Sequence, residues 1–67
     1  MPNYAIFIQF DEVDNIFVAS VPDLPGCMAH GDTPEQALQE IIVAQKLWIE
    51  VAIEDGEKLP EPKIHAI

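Results

Sequence analysis

Between Val21 and Thr33 the sequence reads Val-Pro-Asp-Leu-Pro-Gly-Cys-Met-Ala-His-Gly-Asp-Thr, and this stretch divides everything before it from everything after it. Pro22 and Pro25 fix their own φ and push Val21 and Leu24 toward extended geometry. Gly26 reaches positive φ at no steric cost. The three together end one strand and steer the chain into the next. A second stop comes at once, Gly31-Asp32-Thr33-Pro34, and it opens a helix.

The segment before the loop has the period of strands. In Tyr4–Phe10, Tyr4, Ile6, Ile8 and Phe10 alternate with Ala5, Phe7 and Gln9. Ile16–Val21 is a second strand, with Phe17, Ala19 and Val21 on one face and Ile16, Val18 and Ser20 on the other. The polar link Asp11-Glu12-Val13-Asp14-Asn15 makes an antiparallel hairpin the natural pairing. Both faces of both strands carry apolar residues, so the second face is expected to be at least partly covered. Cys27–His30 reads as a short third strand.

The segment after the loop reads as one long helix ending near Glu54. Thr33 suits the N-cap, with Gln36 placed to complete a capping box; Asp32 is the alternative cap. Pro34 fits the first helical position and Glu35 the positive end of the helix dipole. Asp55-Gly56 supplies the stop. Such a helix is about 31 Å long, while a six-residue strand is about 20 Å, so its last turns need another surface.

The helix is also apolar over a wide arc. Ala37, Ile41, Ala44, Trp48 and Val51 form one stripe; Leu38, Ile42, Ile49 and Ile53 form a second, with Gln45 between them. Together they cover about 200°, where a helix on one sheet needs a stripe of about 100° or somewhat more. Gln39, Lys46 and Glu50 mark the wet side, and Val43 and Leu47 interrupt it. Ile41, Gln45, Trp48, Ile49, Ala52 and Ile53 are therefore the candidates for the oligomer or core face of the helix, which is either a broad core helix of one small domain or a helix shared between two chains. A domain this small has a marginal core of its own. One cysteine forbids an internal disulfide, and His30, His65 and Cys27 have no metal-ligand spacing. No cofactor is indicated, and a homo-oligomer, dimer or tetramer, is the expected remedy.

Glu57–Pro62 is a polar crossing, and Lys63–Ile67 is a candidate last strand on the sheet edge. No secretory signal and no apolar run of spanning length appear, which points to the cytoplasm and away from a membrane. Three lysines, no arginine and twelve acids give a net charge of −9. That balance argues against direct nucleic-acid contact and for a basic protein partner. Asp23, His30 and Asp32 are the one polar group near a cleft with metal or acid–base potential. Both aspartates, however, sit beside turn residues that favour Asp for backbone bonding alone. No nucleophile–base pair or phosphate loop accompanies them, and no enzyme is expected. Cys27 reads as a small buried hydrophobe.

The block Pro-Asp-Leu-Pro-Gly-Cys at Pro22–Cys27, succeeded by Gly31-Asp32-Thr33 and by Ala37, Ala44 and Trp48, resembles the HicB-like antitoxin family from about Tyr4 to Pro62. The resemblance implies an α+β fold in a single domain over residues 1–67. It would be a three-stranded antiparallel sheet with one long helix packed on one face, with or without a short fourth strand, similar to a trimmed ribonuclease H fold. It makes Pro22, Gly26, Cys27, Gly31, Asp32 and Thr33 structural motif residues. It also implies a non-catalytic protein that masks a small basic RNA-cleaving toxin of a type II toxin–antitoxin system. Typical members carry a further DNA-binding domain. Nothing in these residues would enter a DNA groove, so operon repression is not expected of them alone. Asp11, Glu12, Asp14, Asp23, Leu24 and Pro25 are the candidate contacts to the partner. The alternative reading is a self-assembling structural or adaptor module with a different protein partner.

Overall fold

In the computed structural model, which describes residues 4–61, the hairpin forms as the alternation predicts. Strand β1 (Phe7–Asp11) pairs antiparallel with β2 (Ile16–Ser20), placing Ile8 opposite Ala19 and Phe10 opposite Phe17. Strand β3 (Met28–Gly31) pairs antiparallel with β2, and helix α1 (Pro34–Glu54) comes next. The sheet order is β1-β2-β3. The candidate strand at Lys63–Ile67 lies outside the described residues.

Strand boundaries move where tertiary pairing overrides the local pattern. β1 begins at Phe7, not Tyr4, because Phe7 sits opposite Ser20 and the partner strand stops there. Tyr4 is nonetheless buried, and its hydroxyl donates to the carbonyl of Pro60. β3 starts at Met28, not Cys27, because both backbone groups of Cys27 are engaged by the preceding turns. It ends at Gly31, opposite Phe17. Asp11 joins the ladder, so the hairpin link is one residue shorter than the sequence suggests. The Asp11 carboxylate accepts the amides of Val13 at 2.9 Å and Asp14 at 3.4 Å, and Asn15 closes the turn at φ 54°.

The helix bounds obey the capping chemistry. Thr33, at φ −131° and ψ 160°, is the N-cap and accepts the Gln36 amide at 3.1 Å. Gln36 reaches back one residue further than a standard capping box, and its side-chain oxygen accepts the Asp32 amide at 2.9 Å. At the other end Gly56 has φ +73°. Its amide donates to Ile53 at 3.1 Å and that of Glu57 to Ala52 at 2.9 Å, the paired bonds of a Schellman stop.

The helix covers the sheet face that carries Phe17, Ala19, Ala29 and Gly31, lying over β3 and β2 and only grazing β1. Its buried line is Ala37, Ile41, Gln45, Ile49 and Ala52. Four of the six helix residues expected at the oligomer or core face, Ile41, Gln45, Ile49 and Ala52, are buried within a single chain. Trp48 packs at the core margin, and Ile53 is exposed. Among the described residues nothing covers the outer sheet face, where Phe7 and Met28 are exposed. The expected cover for that face is not supplied by the described part of the chain.

Candidate protein-interaction surfaces

The proline loop is two consecutive turns. Leu24 donates its amide to Val21 at 3.0 Å, and Cys27 donates to Leu24 at 3.0 Å. Val21 then donates to Cys27 at 3.1 Å and closes the pair. Each turn has proline at its second position. In the second turn Gly26, at φ +79°, takes the third position, which demands positive φ in a type II turn. In the first turn Asp23 holds that position with negative φ, as a type I turn requires. The three corners, Val21, Leu24 and Cys27, all point into the core. Burial pushes the Cys27 thiol up from its ordinary range, because the thiolate is the form that loses hydration.

This geometry sorts the candidate contacts. Leu24 is 1% exposed and belongs to the core, so Pro25 and the half-buried Asp23 are what the loop offers to a partner. Glu12 and Asp14 are exposed on the hairpin turn, while Asp11 is occupied by the turn amides. The hairpin turn and the proline loop sit at opposite ends of β2, a five-residue strand about 17 Å long. One small contact cannot use both ends without crossing the sheet. Asp23 and Asp32 are likewise separated by the length of β3, with His30 between them. Among the described residues no three His, Cys, Asp or Glu side chains converge on a metal position.

Two uncovered surfaces flank the helix. On the side of the helix turned away from the β3 trough Leu38 and Ile42 are exposed, as are Ile8 and Phe10 of β1. The ring of Phe10 meets Phe17 edge-on, with centroids 5.1 Å apart. Beside β3 a trough of about 770 Å³ opens between the strand and the helix, with Val43, Ala44 and Leu47 on its wall and Asp32, Gln36 and Glu40 at its rim. It continues past Met28 into a second hollow of about 380 Å³ that includes Trp48, Val51 and Glu57. Residue patterns alone do not single out this trough. Its signal lies in Val43 and Leu47, the apolar residues that interrupt the wet side of the helix.

The described surfaces belong to a chain whose sequence matches a family model over residues 4–66, that of the HicB-like antitoxin of bacterial toxin–antitoxin systems. The chain belongs to the HicB-like antitoxin family. A UPF0150 protein of Synechocystis is 41% identical over 58 residues, covering 87% of this chain and 78% of that protein. A UPF0150 protein of Thermoplasma acidophilum is 38% identical over 64 residues, covering 96% and 91%. Antitoxin HicB 1 of Photorhabdus laumondii is 37% identical over 59 residues, covering 88% of this chain but 37% of that protein. The residues on which the HicB-like resemblance rests, Pro22 to Cys27 and Gly31 to Thr33, build the double turn and the helix entry. Among the described residues no helix is long and apolar enough to cross a membrane.

Proposed function

We propose that this HicB-like domain is a non-catalytic antitoxin module that binds a small basic RNA-cleaving toxin and masks it by steric and electrostatic cover in the cytoplasm. The family match over residues 4–66 carries the reading. A net charge of −9 supports it, because an acidic surface speeds encounter with a basic partner and selects for it. The exposed acids Glu12 and Asp14, with Asp23 and Pro25 at the far end of the sheet, remain the contacts proposed from the sequence. The experiment is co-expression with a small basic RNA-cleaving protein of the toxin class, taken from the neighbouring genes where one is found there. A co-purifying complex and relief of growth arrest are expected; neither complex nor relief would overturn the reading.

A second reading, self-assembly into a dimer or tetramer, is favoured by one observation. Ile8, Phe10, Leu38 and Ile42 on the β1 side are exposed and apolar, and large exposed apolar patches mark association surfaces. Sedimentation at low micromolar concentration tests it. A particle of two or four chains that Ile42→Glu dissociates is expected, and a strict monomer would refute it.

A further inference from the structure

The second uncovered surface differs from the first in shape. It runs along the helix from Gln36 to Ala52, about 24 Å at roughly 1.5 Å per residue. An extended chain of about seven residues has that length. One side of the trough is β3, whose outer edge pairs with no described strand. In an antiparallel ladder, alternate residues of an edge strand turn their N–H and C=O groups outward. Natural edges are commonly blunted by lysine, proline or a bulge. Met28-Ala29-His30-Gly31 carries no lysine or proline, and its pairing with β2 is continuous.

We infer that this trough receives an extended basic segment of a partner protein, which adds to β3 as a fourth strand and seats apolar side chains against Leu47 and Val43. The inference rests on the masking reading for the class of partner, and it goes further by fixing where and in what form the partner binds. Strand addition obtains affinity from main-chain bonds and specificity from pockets under alternate side chains. The trough offers Val43, Ala44 and Leu47 as apolar seats among polar side chains such as His30 and Gln39, and acids stand along it: Asp32 at one end, Glu40 at the rim and Glu57 at the other end. No lysine lines it. A second copy of this chain would bring nine further net negative charges to those rims, and like charges facing one another across an interface oppose docking.

The test is backbone-amide NMR on the labelled full chain, titrated with a capped heptapeptide of alternating lysine and valine. Amides of Met28–Asp32 and of the helix around Val43–Val51 are expected to shift together. A glutamate-for-lysine peptide and a backbone N-methylated peptide should each bind at least tenfold more weakly. Glu40→Lys, at an exposed position, should weaken the lysine peptide at least fivefold, and Leu47→Asp at least tenfold, with helix content unchanged by circular dichroism. No shift at β3, shifts centred on Glu12–Asp14, or β3 amides that move on dilution without peptide would overturn the inference. Binding of the trough variants to the toxin partner separates the inference from the masking reading. A complex that Glu40→Lys and Leu47→Asp leave equally tight overturns the trough and leaves masking intact. A peptide seated in the trough of a chain that masks no toxin supports the trough and overturns masking.

Discussion

The indole N–H of Trp48 donates to the carbonyl oxygen of Pro25 at 2.9 Å, and so ties the middle of the helix to the outer corner of the double turn. Everything between these two residues in sequence is thereby closed into one unit: loop, β3, helix entry and roughly the first four turns of α1. The bond has a second effect. It holds the side of Trp48 against the hollow that continues the β3 trough, so loop geometry and trough shape are set by one contact.

Trp48→Phe keeps most of the ring and removes the bond. Hydrogen bonds of this kind contribute about 0.5–1.5 kcal/mol net, and because water can reach this one the lower half of that range is expected. Trp48→Ala removes the packing as well and should cost about 3 kcal/mol or more. Urea midpoints monitored by circular dichroism separate the two. Equal losses would mean that the indole N–H carries the whole effect and the ring packing none.

Much of this architecture is legible in the residues themselves, for reasons of local chemistry. The helix bounds are set by Thr33, Pro34, Gln36 and Gly56, whose preferences act within one turn. The double turn is set by two prolines in second positions and a glycine where positive φ is required. What local chemistry does not contain is the depth of each surface. Alternation alone extends β1 back to Tyr4, and only the length of β2 stops it at Phe7. Gln45 lies between two apolar stripes, and burial runs along its line because the helix sits over β3 and β2 rather than centrally on the sheet. That same offset uncovers Ile8 and Phe10 on one side and opens the trough on the other. Among the described residues no fully buried side-chain nitrogen or oxygen lacks a partner, and Gln45 keeps 7% of its surface exposed. Leu24 reads as a candidate contact because it stands in the proline loop beside Asp23, yet it is a corner that faces inward.

Thr33→Ala should destabilise the chain by about 1 kcal/mol, the usual loss for a helix N-cap. Thr33→Ser should restore most of it, since the hydroxyl that accepts the Gln36 amide is retained. Gln36→Ala releases the Asp32 amide instead and should cost less, because that amide is exposed to water. Chemical denaturation of the three variants checks the order.

Cys27 should react slowly with iodoacetamide at pH 8 and quickly in urea, since its thiol is buried and its ionisation is disfavoured. The folded thiol ionises at higher pH than the unfolded one. Its contribution is therefore constant below about pH 8.5, the ordinary thiol value, and is lost as pH rises from there toward the folded value. The urea midpoint of the parent should fall more between pH 7 and pH 10 than that of Cys27→Ala. An equal fall in both would show that this thiol does not titrate differently in the two states.

Gly31 and Gly26 are both sensitive to alanine, but for different physical reasons. A Cβ at Gly31 would lie 2.6 Å from the Ala37 amide nitrogen and 2.7 Å from the Gln36 Cβ, so the first turn of the helix rests directly on the end of β3. The nearest obstacle is backbone and cannot rotate away. Gly31→Ala should therefore cost about 1–3 kcal/mol as overpacking and displace the helix start. At Gly26 a Cβ meets nothing within 4 Å, yet the residue stands at φ +79°. Gly26→Ala should cost about 1–2 kcal/mol through the backbone alone. A D-alanine at position 26, made by chemical synthesis, should recover that loss, because positive φ is natural to it. Amide exchange adds an independent check. Gly31→Ala should speed exchange at Gln36 and Ala37 ahead of the rest of the helix, whereas Gly26→Ala should leave that first turn as protected, relative to its neighbours, as in the parent. If Gly31→Ala proved neutral, the close seat of the helix on β3 would be wrong, and with it the depth assigned to the adjoining trough.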